Sequence, residues 1–238
     1  HYCGDIYTRM RKKDEDPEFK QILSNTLLAI EQQSNEKINE LHHTYTRKCA
    51  LEQIKTCRRM NATFDLVNWE TDILHLEFFA QAMQILKEKW HVRYEEQGDA
   101  KWCRIIDLSS LPAFAKEEKQ YQILIKSDGV ATYIAKDIAF AMWKLWYLEK
   151  DFFYEQFAEQ PDGSMIYTTE TEEKHNHLQF GNYDEAITVI DTRQIPAQSV
   201  VKWSLELLWL ITEHKQYSPL WYGIVFLTPK TLQHFGFT

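Results

Sequence analysis

Glycine, proline and cysteine are scarce in this sequence, and their scarcity excludes several kinds of protein. The 238 residues include only 7 glycines, 6 prolines and 4 cysteines. So little glycine and proline excludes a collagen-like chain and argues against a disordered one. The cysteines form no CxxC pair, and no secretory leader is recognisable. We therefore expect a reducing, cytoplasmic compartment and no disulfide framework.

Long apolar runs and positive charge are also in short supply. The most apolar stretch, Ile138 to Leu148, is too short to span a membrane and contains Lys144. The formal net charge is −8, and one basic cluster, Arg9 to Lys13, is followed at once by acidic residues. Gripping a phosphate backbone requires clustered Lys and Arg. We therefore expect no membrane partner, and any nucleic acid would be contacted mainly by other parts of a longer protein.

The residues that are abundant predict a globular α/β protein. Apolar residues make up 44% of the chain and aromatic residues 14%, which is enough to fill a core. Apolar residues recur with helical spacing from Pro17 to about Met60, with a break near Ser34, and again from Thr71 to Trp90. Residues 1–62 are therefore predicted to be a helical segment, and residues 63–238 an α/β core.

Strand-like runs alternate with helices through this core. An antiparallel hairpin is predicted within 92–106, around a turn at Gly98. Residues 151–183 are predicted to be an irregular insert with two short β-like runs. The strand–helix alternation predicts one mainly parallel sheet with helices on both faces. Its expected strands are Phe64–Val67, Tyr121–Ile125, Ala186–Ile190 and Tyr222–Leu227.

Candidate site residues follow two of these strands, because ligands bind beyond the carboxyl ends of strands in open parallel sheets. Tyr133 and Asp137 are four residues apart, which places them on one helix face. A buried carboxylate at Asp137 would need a partner, and a guanidinium fits it best. The alternative, favoured by spacing alone, is that Asp137 only stabilises its own helix N-terminus.

Gln194 lies in the polar turn after the strand Ala186–Ile190. Here a ligand-binding role competes equally with simple helix capping by Asp191 or Thr192. His175 and His177 could suggest a metal site, but they lack a third ligand, so no protein-bound metal is predicted. His42 and His43 are assigned no role. Sequence motifs for P-loop, dinucleotide-binding and serine-hydrolase sites are absent.

One stretch of the sequence resembles a known family. Residues 125–129, Ile-Lys-Ser-Asp-Gly, and 132–139, Thr-Tyr-Ile-Ala-Lys-Asp-Ile-Ala, resemble the KSDGT and TYxxRDIA elements of arginyl-tRNA synthetases, which are class I aminoacyl-tRNA synthetases. Two weaker similarities are Phe64-Asp65 with Trp69-Glu70, and the strand leading to Gln194. The order and spacing agree over about residues 45–235.

The resemblance implies a Rossmann-like nucleotide-binding fold and a set of roles. Asp137 would meet the guanidinium of arginine, Tyr133 would pack against the substrate, and Gln194 would hydrogen-bond it. ATP would be a substrate accompanied by Mg²⁺, and tRNA(Arg) the acceptor of arginine from an arginyl-adenylate. The resemblance assigns no catalytic or ATP-binding residue here, and a monomer is expected.

The sequence also departs from the family pattern. The HIGH-like element would precede residue 1 and the KMSK-like loop would follow residue 238, so we expect these residues alone to be inactive. Ile195-Pro196-Ala197 stands where many members have a histidine after the glutamine. Two alternatives stay open: a synthetase-like binding module without aminoacylation activity, and a different α/β nucleotidyl-transfer enzyme.

Overall fold

The computed structural model describes residues 2–13, 15–89, 91–114, 116, 118–173, 178–223 and 226–236. These residues form eight α-helices and eight short strands. The helices are α1 (Tyr2–Arg11), α2 (Pro17–Glu31), α3 (Glu36–Arg59), α4 (Glu70–His75), α5 (Phe78–Glu88), α6 (Tyr133–Lys144), α7 (Ile195–Leu207) and α8 (Pro229–His234). The strands are β1 (Leu66–Val67), β2 (Val92–Tyr94), β3 (Arg104–Asp107), β4 (Tyr121–Ile125), β5 (Phe153–Glu159), β6 (Met165–Glu170), β7 (Glu185–Asp191) and β8 (Gln216–Tyr222).

The predicted long helix and its break are confirmed. Asp16 caps α2 by accepting hydrogen bonds from the first-turn backbone, and Pro17 is its first residue. Asn35 caps α3 by accepting from the backbone N–H of Ile38. The polar segment between the helices, at residues 32–35, is therefore where one helix ends and the next begins.

The predicted helix Thr71–Trp90 is two helices, α4 and α5. The helical conformation is interrupted at Glu77, which has φ 63° and ψ 11° and so lies in the left-handed region. Apolar spacing continues across this break because both helices bury apolar residues, including Ile73 and Phe78. The periodicity therefore could not show the break.

The prediction of a single, mainly parallel sheet is wrong, because the strands of the described residues form three separate sheets. The first has the order β1-β6-β5, the second β2-β3-β4, and the third β7-β8. Parallel pairing occurs only between β1 and β6 and between β7 and β8 in these sheets. β4 pairs antiparallel with β3, so the confirmed hairpin β2-β3 continues into a strand that was expected to be parallel.

The last predicted strand, Tyr222–Leu227, is also wrong. β8 ends at Tyr222, where the predicted strand was to begin, and residues 224–225 lie outside the described part of the chain. The strand was predicted from the apolar residues after Tyr222, and the less apolar residues Gln216 to Pro219 were not assigned to a strand. Proline has no backbone N–H to donate to a strand ladder, yet Pro219 lies in β8, opposite Thr188 of β7. β8 tolerates this residue because it pairs with only one strand, β7, among the described residues.

The β-like runs of residues 151–183 are confirmed as the antiparallel pair β5 and β6, joined by a turn at Gly163. β6 also pairs with β1, which ties the segment to the remainder of the molecule. The division at residue 62 and the reading of 151–183 as an insert stay predictions.

The main core lies among α5, α6 and α7. α6 contributes its buried face to contacts with both neighbouring helices, and β3, β4, β5, β7 and β8 each contribute a buried residue to this cluster. Fully buried members include Phe78, Leu86, Ile138, Met142, Val201 and Leu205. The core therefore fixes the N-terminal ends of α6 and α7 beside each other.

Candidate functional site

A cavity of about 990 Å³ opens at the N-terminal ends of α6 and α7. Tyr133, the first residue of α6, lines one side and is 57% exposed. Ile195 and Pro196, at the start of α7, line another side. Lys126, which follows β4 directly, also lines the cavity. Two strand-to-helix connections therefore meet here, but Asp137 and Gln194 are not among the residues that line this cavity.

The turn before α6 is built by its own sequence. Gly129 has φ 89°, a backbone conformation that favours glycine, and its N–H donates to the carbonyl of Lys126 at 3.0 Å. Asp128 accepts from the backbone N–H of Val130 at 3.1 Å and from the Ser24 hydroxyl at 2.7 Å. The turn is thereby connected to α2 as well as to β4.

Thr132 fixes where α6 starts. Its hydroxyl oxygen accepts from the Ala135 N–H at 3.4 Å, and its hydroxyl lies 3.1 Å from the Leu124 carbonyl of β4. Thr132 is therefore the capping residue of α6. Helix capping does not account for Asp137, which lies one turn further along the helix.

Asp137 is partly buried between α6 and α7. Its Oδ2 accepts a hydrogen bond from Nε2 of Gln198 at 2.7 Å. Burial raises the pKa of this carboxyl, the Gln198 hydrogen bond opposes that rise, the charge of Glu70 adds to it, and Lys144 opposes it. Asp137 is thus a poorly solvated carboxylate, and the negative charge of Glu70 further disfavours its ionised form.

Among the described residues, the side chain that hydrogen-bonds Asp137 is not that of Gln194. Gln194 is the exposed N-cap residue of α7, and the residue that reaches Asp137 is Gln198, one helical turn later. Asp191 caps the short 3-10 turn of residues 192–194 by accepting from the N–H of Arg193 at 2.8 Å. Asp191 therefore caps this short turn and not α7, whereas substrate binding by Tyr133, Asp137 and Gln194 stays a prediction.

A smaller cavity of about 420 Å³ lies among α2, α3 and α4. Its lining includes His42 and His43, which sequence reasoning left without a role, together with His75 and Asp72. Burial raises the pKa of Asp72 to about 6, while the Thr169 hydroxyl, 2.6 Å from its Oδ2, acts against that rise.

Lys136 forms the wall between the two cavities. Its Nζ lies 2.7 Å from Oε1 of Glu31 and 2.9 Å from Oε1 of Glu70, and all three side chains line both cavities. Burial lowers the pKa of Lys136, but the two carboxylates outweigh burial and raise it. Sequence reasoning missed Glu31 and Lys136 as neighbours because 104 residues of chain separate them.

The possible metal ligands His175 and His177 lie outside the described residues. Within the described ranges, three or more His, Cys, Asp or Glu side chains nowhere come together in a way that could hold a metal ion. No helix among these residues is both long and apolar enough to cross a membrane.

Comparison with known proteins gives a consistent result. No family model matches the chain. The arginine–tRNA ligase of Thermococcus kodakarensis is 30% identical over 209 residues, which is 87% of this chain and 32% of that protein. The arginine–tRNA ligase of Deinococcus radiodurans is 28% identical over 233 residues, which is 97% of this chain and 36% of that protein.

Solved structures agree with the sequence comparison. Arginyl-tRNA synthetase from Thermus thermophilus superposes with a TM-score of 0.64 and 26% identity, over 93% of this chain and 36% of that one. Arginyl-tRNA synthetase from Plasmodium falciparum, at 14% identity and a TM-score of 0.53, supports the fold alone. The chain thus spans about a third of the length of the relatives it matches. By sequence and by fold, it is a homologue of the arginyl-tRNA synthetases over most of its own length.

Proposed function

We propose that this chain provides the amino-acid-binding region of an arginine–tRNA ligase. In that reaction ATP activates arginine to arginyl-adenylate, and the arginyl group then passes to tRNA(Arg). The homology to arginine–tRNA ligases supports the reaction class. One observation in the structure supports the assignment of this region: a partly buried carboxylate, Asp137, lies one helical turn beyond Tyr133, which lines the larger cavity.

A buried carboxylate suits a guanidinium better than it suits an ammonium. The guanidinium is planar and donates two parallel hydrogen bonds to the two carboxylate oxygens, whereas an ammonium acts as a point charge. The nearby charge of Glu70 raises the cost of ionising Asp137, and the charge of Lys144 offsets part of that cost. A bound guanidinium would relieve that cost, so we propose Asp137 as its partner. Tyr133 would pack against the aliphatic part of arginine, and Gln194 would hydrogen-bond it from the start of α7.

ATP is treated as a substrate in this proposal, together with the Mg²⁺ that accompanies its phosphates. Within the described ranges, three or more His, Cys, Asp or Glu side chains nowhere come together, and we assign no residue to the ion. The described free thiols, Cys49, Cys57 and Cys103, agree with a reducing compartment. We therefore extend the proposal to a cytoplasmic enzyme acting as a monomer.

The substitution Asp137→Asn tests the proposal in the complete polypeptide that carries this sequence. The variant keeps the size of the side chain but turns one acceptor into a donor that faces the guanidinium donors. Removing one partner of a desolvated charge pair costs roughly 2–5 kcal/mol. We expect arginine activation, measured by pyrophosphate exchange, to fall accordingly, while the KM for ATP changes little.

Asp162→Asn is the matched control, because Asp162 lies fully exposed in the turn between β5 and β6. It should leave arginine activation unchanged. An unchanged KM and kcat for arginine in Asp137→Asn would remove Asp137 from the substrate site. Absence of arginine activation in the unsubstituted polypeptide would favour the binding-module alternative.

A further inference from the structure

A chain of hydrogen bonds leads to Asp137 from α7 and from the paired strands β7 and β8. Gln198 donates through Nε2 to Oδ2 of Asp137 at 2.7 Å. The hydroxyl of Tyr217 donates to Oε1 of Gln198 at 2.6 Å. The hydroxyl of Thr188 donates to the Tyr217 oxygen at 3.0 Å. Four elements, α6, α7, β8 and β7, are thereby joined at one carboxylate.

The direction of every donor in this chain is determined by the carboxylate. An ionised carboxylate only accepts hydrogen bonds, so the amide nitrogen of Gln198 must face it and the amide oxygen must face Tyr217. Tyr217 has one hydroxyl proton, which it gives to that oxygen, so it accepts from Thr188. Turning the amide over would place its oxygen against the carboxylate and its nitrogen against the Tyr217 proton, and both contacts would be repulsive.

Burial makes this arrangement rigid. Gln198 is 7% exposed and Tyr217 is 4% exposed, so water has little access to compete for their hydrogen bonds. Burial raises the pKa of Tyr217 to about 12, with the hydroxyl of Thr188 lowering it and the charge of Asp137 raising it further. Tyr217 therefore keeps its proton near neutral pH, and it remains a donor.

We propose that Gln198 is a positioning residue for Asp137, held in its orientation by Tyr217 and Thr188. Its amide fixes Oδ2 and favours the ionised carboxylate, which leaves Oδ1 and the remaining lone pairs of Oδ2 for an incoming guanidinium. Because Tyr217 and Thr188 lie on the paired strands β7 and β8, the orientation of Asp137 depends on the packing of α7 against this sheet. The proposal rests on the proposed arginine site and adds how its carboxylate is prepared.

Two substitutions at Gln198 separate positioning from a merely structural role. Gln198→Glu keeps the shape and the acceptor for Tyr217 but sets an oxygen against Asp137. Gln198→Leu removes both hydrogen bonds. The first readout is the pKa of the Asp137 carboxyl in the chain itself, followed by carbon-13 NMR. We expect it to move further upward in both variants, and furthest in Gln198→Glu, because the hydrogen bond that opposes the effect of burial is lost.

The second readout is pyrophosphate exchange by the complete polypeptide. A hydrogen bond to a charged group contributes about 1.5–3 kcal/mol, so we expect the KM for arginine to rise about 10-fold to 100-fold at neutral pH. The KM for ATP should not change. Tyr217→Phe should move both readouts in the same direction by a smaller amount, because the amide of Gln198 stays in place but loses its support.

Gln81→Leu is the matched control. Its amide donates to the backbone carbonyl of Leu148 at 2.9 Å, in the contact between α5 and the segment that follows α6. This variant should lose stability without moving the Asp137 pKa or the KM for arginine. If the Gln198 variants behave like Gln81→Leu, the positioning role is wrong. If the Asp137 pKa moves as expected but the unsubstituted polypeptide does not activate arginine, the positioning stands and the proposed function fails.

Discussion

At the scale of single residues, the aspartates of this protein differ in which groups compensate their negative charge. Asp191 is half-buried and pairs with the exposed Arg193 two residues away, which a sequence can suggest. Asp137 is partly buried and Asp72 is buried, and they accept hydrogen bonds from a glutamine and a threonine, respectively, in distant parts of the chain. Burial raises the pKa in both cases, so the folded state tends to hold a proton that the unfolded state releases.

Asp72 leads to a prediction about pH. Its pKa is about 6 in the folded chain and 3.8 in an exposed aspartate. Between these values the folded state binds more protons, so the free energy of unfolding falls as pH rises from about 4 to 6. Asp72→Asn keeps an acceptor for Thr169 and removes the titration. We expect its stability relative to the unsubstituted chain to improve across this window, by up to about 3 kcal/mol.

Urea unfolding between pH 4 and pH 8 measures this effect. Asp162→Asn provides a contrast of opposite sign, because the hydroxyl and backbone N–H of Ser164 lower the pKa of Asp162. Its contribution is present above the unfolded pKa and disappears as pH falls. A difference between Asp72→Asn and the unsubstituted chain that is constant with pH would show that Asp72 does not titrate in this range.

Among the secondary-structure elements, the most informative feature is the break between α4 and α5. Glu77 is exposed and has φ 63°, which costs a non-glycine residue about 1–2 kcal/mol relative to right-handed backbone. Glycine adopts this conformation without a steric penalty but loses more entropy on folding. The two effects leave a net gain, and we expect Glu77→Gly to stabilise the chain by about 0.5–1 kcal/mol.

Thermal unfolding checks this prediction. Ala80→Gly is the control, since Ala80 is exposed on the first turn of α5. There the same new residue should destabilise by about 0.5–1 kcal/mol, because glycine is unfavourable within a helix. Equal effects of the two substitutions would mean that the left-handed conformation at Glu77 carries no penalty.

At the scale of the whole molecule, the negative net charge limits how tightly the chain can bind a nucleic acid. The 27 basic residues are outnumbered by 35 acidic ones, which gives a formal net charge of −8. Tight phosphate-backbone binding with 6–10 contacts loses roughly 10³–10⁵ in affinity between 50 and 200 mM salt. We expect this chain to bind labelled tRNA(Arg) weakly, with less than about a ten-fold loss over that range.

Fluorescence anisotropy at several salt concentrations tests this expectation. A thousand-fold fall in affinity would reveal a large cationic surface that the composition does not suggest. The same titration with poly-aspartate as competitor distinguishes general charge attraction from recognition of tRNA.

The sequence by itself determined the local features of this protein. The start of α2 at Pro17, the cap at Asn35 and the turn at Gly129 follow from residues within a few positions of each other. The strand β4 and the shared helix face of Tyr133 and Asp137 were predicted for the same reason. These features depend on backbone geometry and short-range hydrogen bonds, which neighbouring residues specify.

Only the tertiary structure decided which distant elements meet. β4 pairs with β3 instead of β7, and the apolar run after Tyr222 is not the last strand. Strand identity is local, but its partner is chosen by packing across the whole chain. Gln198 donates a hydrogen bond to Asp137, which is 61 positions earlier in the sequence. Lys136 forms ion pairs with Glu31 and Glu70 in the wall between the two cavities. The energy of such contacts comes from burial and paired charge, and burial is decided only when the chain is folded.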